Sequence, residues 1–448
     1  MGRLPLEVLT FIFAIAVTSD RTARAMSHPK PRSVDFANVL VSVCSHWRRV
    51  AIGIPELWSY IDLSGRGELD HATLWLERAR NRALDIRTGS ETAYPDWRHQ
   101  HIPLLQNASR ARSLLLRGDR DYMYKWFSEW YQKGIPGATI TLALYPALED
   151  GDELEFPGPY TILQTRLNDL LNSIRVLYLR AAVVTWDRIS FQNLSILCLV
   201  ELEEVESETA MTMDILCEML LASPRLRCLQ LARIYLHRPG SVRGRQNAPL
   251  IHLEHLETLE LSNLRDVDAF RMLSIITPGS RSLNFLISCA DQHSNLGDIA
   301  EGVLVSFFQR SNVTAFYCGA NTVESLSPAI VYALPSIEVL CLASKTIGAE
   351  FSNSVAPDNA TFDSVQTHWP KLHTFEAAGC EFEDITDFKR LLAACPIREL
   401  RIDGGCSTSV SIGDPRNHGS MAFENWAGPG VAFSDDCRKW EIGYTPFQ

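Results

Sequence analysis

The sequence predicts an α/β protein: a small module of three helices, then an irregular solenoid with parallel strands on its concave side and helices on its convex side. Three observations carry this expectation. A short apolar strand pattern recurs at intervals of 20 to 35 residues. The segments between copies place apolar residues at three- and four-residue steps, the period of an amphipathic helix. The amino-terminal residues carry helical periodicity and helix-boundary signals.

In the amino-terminal module, LPLEVLTFIF at 4–13 places Leu9, Ile12, Phe13 and Ala16 on one apolar stripe. Pro5 suits the first turn of a helix, and Glu7 suits the positive end of its dipole. The second segment is VCSHWRRVAIGIPELWS at 43–59, where Ser45 is expected to cap a helix, Gly53 to end it, and Pro55 to open a short helix carrying Leu57 and Trp58. Between the two, Thr18 to Asp35 is polar and holds HPKPRS, the composition of an exposed loop. Three short helices build a small core, which needs a partner or a following domain to cover its remaining apolar surface.

From about residue 69 a unit recurs: helix, breaker, then a strand of the form L-x-x-L-x-L. Full matches begin at Ile174, Leu194, Leu226, Leu256, Ile337 and Ile397, and looser ones at Leu283, Val313 and Leu372. Pro224, Pro278, Pro335, Pro370 and Pro396 each close a helical stretch shortly before the next strand, because proline cannot continue a helix. The stretches 207–224, 266–278 and 384–396 read as those helices. Fainter strand copies stand at 82–89, 112–118 and 138–144. The aromatic run YMYKWFSEWY at 122–131 reads as packing between repeats rather than a ligand cage. From Gly404 the composition turns to Gly, Ser, Asp and Asn, as in a cap on an open solenoid end. The expected division is thus 1–65, 66–403 and 404–448.

Composition narrows the function. The chain is 46% hydrophobic and 21% charged, the make-up of a well-packed protein, with 42 basic against 53 acidic residues and a net charge of -11. No dense Lys/Arg cluster interleaves with aromatics, which argues against nucleic acid as a partner. No apolar run approaches the roughly 18 residues that span a bilayer, so no membrane partner is expected. Eleven cysteines without a CxxC pair suggest free thiols in a reducing compartment, cytoplasmic or nuclear.

Sequons at Asn107, Asn193, Asn312 and Asn359 keep a secreted reading open, although Pro5 and Glu7 interrupt the stretch that would serve as a signal peptide. HLEH at 252–255 and HQH at 99–101 lack the spacing of a zinc helix. No phosphate loop, dinucleotide loop, serine elbow or thiol-protease context is present, so neither an enzyme nor a metal or cofactor is expected. The acidic run ELEEVESE at 201–208 reads as a solvated turn before a helix.

The module resembles the F-box. The family's Leu-Pro-x-Glu-Leu/Ile-Leu-x-x-Ile-Phe opening stands here as Leu4, Pro5, Glu7, Val8, Leu9, Ile12 and Phe13; its Val-Cys-x-x-Trp-Arg centre as Val43, Cys44, Trp47 and Arg48; and its closing Pro-x-Leu-Trp as Pro55, Leu57 and Trp58. The strand pattern resembles leucine-rich repeats, and WLERARNRALDI at 75–86 resembles the junction that follows the F-box in proteins of mushroom-forming fungi.

This resemblance implies a substrate-recognition adaptor of a Skp-cullin-F-box ubiquitin ligase. Leu4, Pro5, Val8, Leu9, Ile12, Phe13, Val43, Cys44, Trp47, Leu57 and Trp58 would meet the Skp-type adaptor. For Leu9, Trp47 and Trp58, packing against the next domain stays an equal alternative. The repeat logic places Tyr178, Gln230, Glu260, Tyr317, Glu376 and Arg401 on the concave face, exposed to an unknown target protein or simply solvated, with Cys198 and Cys341 on the same stripe. Two further alternatives are a secreted repeat protein that binds other proteins and a scaffold that works without a ligase.

Overall fold

A computed structural model of the chain describes residues 4–402 apart from 27–35, 64–67, 90–103, 105, 147–153, 157–163, 187–188, 203–210, 238–248, 291–296, 320, 324–325, 356–366 and 384; beyond 402 it describes 407–408 and 432–433. The HPKPRS segment, HQH, most of the acidic run, Asn359 and nearly all of 404–448 therefore lie outside the described residues. The chain divides into two compact units, one built from residues up to Ser223 and one from Pro224 onward.

The first unit opens with α1 (Leu6–Met26), α2 (Phe36–Val43), α3 (Ser45–Ile52) and a 3-10 turn at Pro55–Trp58. The first turn of α1 closes on Pro5, whose carbonyl accepts from the Leu9 N–H at 3.1 Å. Two expectations are corrected. Helix α1 runs through Met26 instead of giving way to a loop at Thr18, because TSDRTARAM holds no Pro or Gly and is rich in helix-forming Arg and Ala. The cap of α3 is Cys44 rather than Ser45: residue 44 is extended (φ −160°) and its Sγ accepts from the Trp47 N–H at 3.4 Å, which leaves Ser45 already helical. Gly53 ends α3 as expected, in a right-handed conformation (φ −72°).

The sheet begins earlier than the repeat pattern suggested, at β1 (Tyr60–Leu63). It continues in parallel through β2 (Leu84–Thr88), β3 (Ala111–Gly118), β4 (Thr141–Pro146), β5 (Val176–Arg180) and β6 (Ile196–Val200). Its described helices are α4 (Glu68–Ala79), α5 (Arg120–Lys133), α6 (Gln164–Leu171) and α7 (Met213–Leu221). The aromatic run lies on α5, where Tyr122, Trp126 and Trp130 are fully buried, and the Trp130 indole N–H donates to the Thr139 hydroxyl at 2.8 Å. These are core aromatics.

The second unit repeats the plan in β7 (Cys228–Ala232), β8 (Thr258–Leu264), β9 (Ser282–Cys289), β10 (Asn312–Cys318), β11 (Val339–Ala343), β12 (Thr374–Ala378), β13 (Glu399–Ile402) and the two-residue β14 (Ala432–Phe433), all parallel. Across the two units, each of the nine matches from Ile174 to Ile397 leads into one of the strands β5 to β13. Helices α8 (Asp266–Ile275), α9 (Gly297–Gln309), α10 (Pro328–Tyr332), α11 (Ala349–Val355) and α12 (Ile385–Ala394) stack one against the next.

Strand alternation sorts the side chains. Leu177 and Leu179, Leu229 and Leu231, Leu259 and Leu261, and Phe285 and Ile287 are all fully buried toward the helices. Rings tie the layers together: Phe285 stacks on Phe316 at 5.6 Å, and Phe307 and Phe308 of α9 close on Phe285 at 5.1 and 5.9 Å.

A left-handed residue follows several strands: Ala181, Glu201, Arg233, Ser344 and Gly379, with φ between 48° and 59°. That turn aims the backbone N–H at the next strand. Ala181, Arg233 and Ser344 donate to the carbonyls of Val200, Ser262 and Ala378 at 3.0, 2.9 and 2.8 Å. Four of the five carry a side chain in a conformation that costs a non-glycine residue roughly 1–2 kcal/mol, so neighbouring strands must hold them there.

Candidate functional site

Helix α1 has two apolar faces. Leu9 and Phe13 point inward and are 4% and 1% exposed. Phe13 packs on Trp47 at 5.0 Å between ring centroids. Leu57 and Trp58 are also buried; the Trp58 indole N–H donates to the Ala51 carbonyl at 2.9 Å, and the Arg78 guanidinium lies 4.3 Å above its ring. These four residues are packed inside the module together with Leu40, Val50 and Ile54, which is the alternative left open for Leu9 and Trp58 and places Phe13 and Leu57 with them.

The other side of α1 is open. Among the expected contact residues, Leu4, Pro5, Val8, Ile12, Val43 and Cys44 are exposed, and Trp47 is half-buried. The structure adds residues that the motif had not marked: Leu6, Phe11, Ile15, Val39 and Ile52 are exposed too, Phe11 at 68%. Leu4, Val8, Phe11, Ile12 and Ile15 recur at three- and four-residue steps, so a second stripe was present in the sequence beside the one that was read. A helix apolar all round is normally buried all round.

The second candidate surface is the sheet face away from the helices. In the second unit one register row joins Gln230, Glu260, Leu286, Tyr317, Cys341, Glu376 and Arg401 across seven successive strands. Five of the six expected target contacts are therefore neighbours in one line. Their exposure is not as expected: Gln230, Glu260 and Glu376 are buried, whereas Tyr317 and Arg401 are half-buried. Parallel strands stand about 4.8 Å apart, so long polar side chains in one row cover each other. The Ser262 hydroxyl donates to Glu260 Oε1 at 2.8 Å, Arg401 pairs with both Glu376 and Glu399, and Cys341 Sγ donates to Glu376 Oε2 at 3.4 Å.

Burial pushes the Glu260 carboxyl above the usual carboxylate range, opposed by hydrogen bonds from Ser262 and Gln230. Beside it, Gln230 Oε1 is buried without a hydrogen-bond partner. Arg401 is pushed up chiefly by its hydrogen bond to Glu399. Cys198 and Cys341, expected on an exposed stripe, are fully buried because the flanking tyrosine and carboxylate close over them.

In the first unit the corresponding row runs Arg87, Leu115, Ala143, Tyr178 and Cys198. Tyr178 is half-buried, and its ring stacks on Tyr145 at 4.8 Å and 27°. Burial lifts both phenols, Tyr145 to about 12 and Tyr178 further.

Among the described residues the histidines form no metal site. His252 is exposed on the short strand Ile251–Leu253 and His255 is half-buried, and no group of three potential metal ligands is assembled among the described residues. Among those residues no helix is long and apolar enough to cross a membrane. Their nine cysteines are free, eight of them buried. Comparison with protein-family models and with curated proteins gives no match to this chain.

Proposed function

We propose that the chain is the substrate-recognition subunit of a Skp-cullin-F-box type ubiquitin ligase, with the outer face of α1–α3 seated on the Skp-type adaptor and the sheet face holding a target protein. The observation that supports this most is the uncovered apolar stripe Leu4, Val8, Phe11, Ile12 and Ile15, to which α2 and α3 add exposed Val39, Val43 and Ile52. Contiguous exposed apolar surface of this kind marks an interaction site, and a face of small helices suits a groove on a helical partner.

No residue of this chain need touch the bond being formed. Holding the target near the charged conjugating enzyme raises the effective concentration of its lysines. Leu9, Phe13, Leu57 and Trp58 act as positioning residues, fixing the angle at which the outer stripe is presented.

The test is affinity purification of the full chain and of a Phe11→Ser/Ile15→Ser variant. Recovery of a Skp-type adaptor and cullin with the first and not the second is the expected outcome. Recovery of target proteins with no cullin from either chain would leave a ligase-independent scaffold.

A further inference from the structure

Several repeats close the carbonyl end of a helix with a donor from the repeat that follows. In the first unit, the Arg166 guanidinium on α6 donates to the Tyr131, Gln132 and Gly134 carbonyls at the end of α5, at 2.9, 2.9 and 3.2 Å. In the second unit, Arg310, just before β10, donates to the Leu273 carbonyl of α8 and, at 3.3 Å, to the Ile276 carbonyl just past it. Before β12, the Trp369 indole N–H donates to the Val331 carbonyl of α10 at 3.1 Å. The last carbonyls of a helix have no partner within it and carry the negative end of its dipole, so a cation or N–H placed there is stabilising.

The end of α9 departs from this plan. The repeat that follows places Leu334, Pro335 and Ser336 in the stretch before β11, and the sequence from Ser311 to Ser344 holds no Lys, Arg or His. The last turn of α9 holds no basic residue either, and the Arg310 guanidinium just beyond it is turned back to α8. A cavity of about 470 Å³ lies here, lined by Phe308, Gln309 and Asn312 and by Tyr332, Leu334 and Ser336. Tyr332 is 56% exposed, and His368 meets its ring edge-on at 4.5 Å between centroids.

This lining suits a basic side chain. The amide oxygens of Gln309 and Asn312 and the Ser336 hydroxyl accept hydrogen bonds, and a tyrosine face attracts a cation. Phe308 and Leu334 offer apolar area to the methylene stem of a long basic residue. An anion would meet the unfavourable end of the α9 dipole. Between the two basic side chains, the planar guanidinium reaches several acceptors at once, as Arg166 does on α5 and Arg310 on α8.

We infer that this cavity receives an arginine side chain of a partner polypeptide, which completes the end of α9 as Arg310 completes that of α8. The site draws on neither α1–α3 nor the row from Gln230 to Arg401, so it goes beyond the proposed adaptor function.

The experiment is fluorescence anisotropy on the full chain with labelled peptides Gly-Ala-X-Ala-Gly, in which X is arginine, citrulline or glutamate. The arginine peptide is expected to bind best. Citrulline keeps the shape and loses the charge, and should bind at least tenfold more weakly, the scale of a lost charge-assisted contact. Tyr332→Ala should weaken the arginine peptide about fivefold, the scale of a cation–π contact. Ser336→Arg brings a guanidinium to the cavity from within the chain and should weaken the same peptide at least tenfold. Thermal melting of each variant verifies that the fold is retained.

Equal binding of the arginine and citrulline peptides, tighter binding of the glutamate peptide, no binding of any of them, or full binding by a folded Ser336→Arg chain would each overturn the inference. The Phe11→Ser/Ile15→Ser chain separates the two readings, since it should lose a Skp-type adaptor and keep the arginine peptide. Adaptor binding without peptide binding removes the arginine inference alone. Peptide binding without adaptor binding removes the ligase reading and leaves this cavity intact.

Discussion

The helical module and the strand-helix repeats treat apolar side chains in opposite ways. In the repeats, each strand's core-facing pair is covered by the helices: Leu259, Leu261, Phe285 and Phe316 are completely buried. In the module, α1 buries Leu9 and Phe13 yet leaves Val8, Phe11, Ile12 and Ile15 in the open. The repeats stack on copies of themselves, so one pattern supplies both halves of every contact. The module is a single copy of its kind, and it can enclose only one of its two apolar faces.

The sharpest way to break this comparison is to delete core from each region. Phe316→Ala removes a ring stacked on Phe285, and Trp58→Ala removes one held by Ala51 and Arg78. Each is expected to cost about 3–5 kcal/mol in urea denaturation. Were Trp58→Ala to cost under about 1 kcal/mol, a typical value for any substitution, the module would not have the closed core described.

Glu260→Gln tests the crowded row in the second unit. Because burial raises the folded-state pKa of Glu260, its favourable contribution is complete below the unfolded value near 4.5 and is lost as pH rises through the raised folded value. A Gln at this position keeps one acceptor oxygen for the Ser262 hydroxyl and turns the other oxygen into an N–H donor that can serve the buried, unpartnered Gln230 Oε1. The variant should be more stable at pH 7 by roughly 1–3 kcal/mol, with the gain vanishing in melts below about pH 4.5. A loss of stability at pH 7 would show that the carboxylate form is needed.

A smaller effect probes the repeating turn. Gly379 is left-handed (φ +59°), and a Cβ there would meet only the Ser344 hydroxyl at 3.6 Å, so Gly379→Ala strains the backbone without a clash. The expected cost is about 1 kcal/mol, read by chemical denaturation. Smallest of all, Phe11→Ser removes an exposed ring and should change stability by no more than about 0.5 kcal/mol.

How much of this was legible follows from the range of the interactions. The nine strands from Ile174 onward could be read because a parallel strand that packs on helices writes its core pair into adjacent alternate positions. Strand β1 was missed because YIDL follows directly on the Pro55–Trp58 turn and has no repeat helix before it. The positions sharing the second unit's row were recoverable by periodicity, but their burial was not. Whether Glu260 meets solvent is decided by Gln230 on the preceding strand and Glu376 by Arg401 on the next, separations of 30 and 25 residues that no local pattern reports. The outer stripe of α1 was present in the sequence and was masked by the motif, which mixes inward Leu9 and Phe13 with outward Val8 and Ile12.

The measurement that bears most directly on the uncovered face of α1 is calorimetric titration of a purified Skp-type adaptor into the full chain and into folded Phe11→Ser/Ile15→Ser, repeated at several temperatures. Burial of the stripe should give binding with a negative heat-capacity change, weakened by at least tenfold in the variant while its melting temperature stays that of the parent chain. Absence of binding, or binding whose affinity and heat capacity ignore the two substitutions, would contradict it.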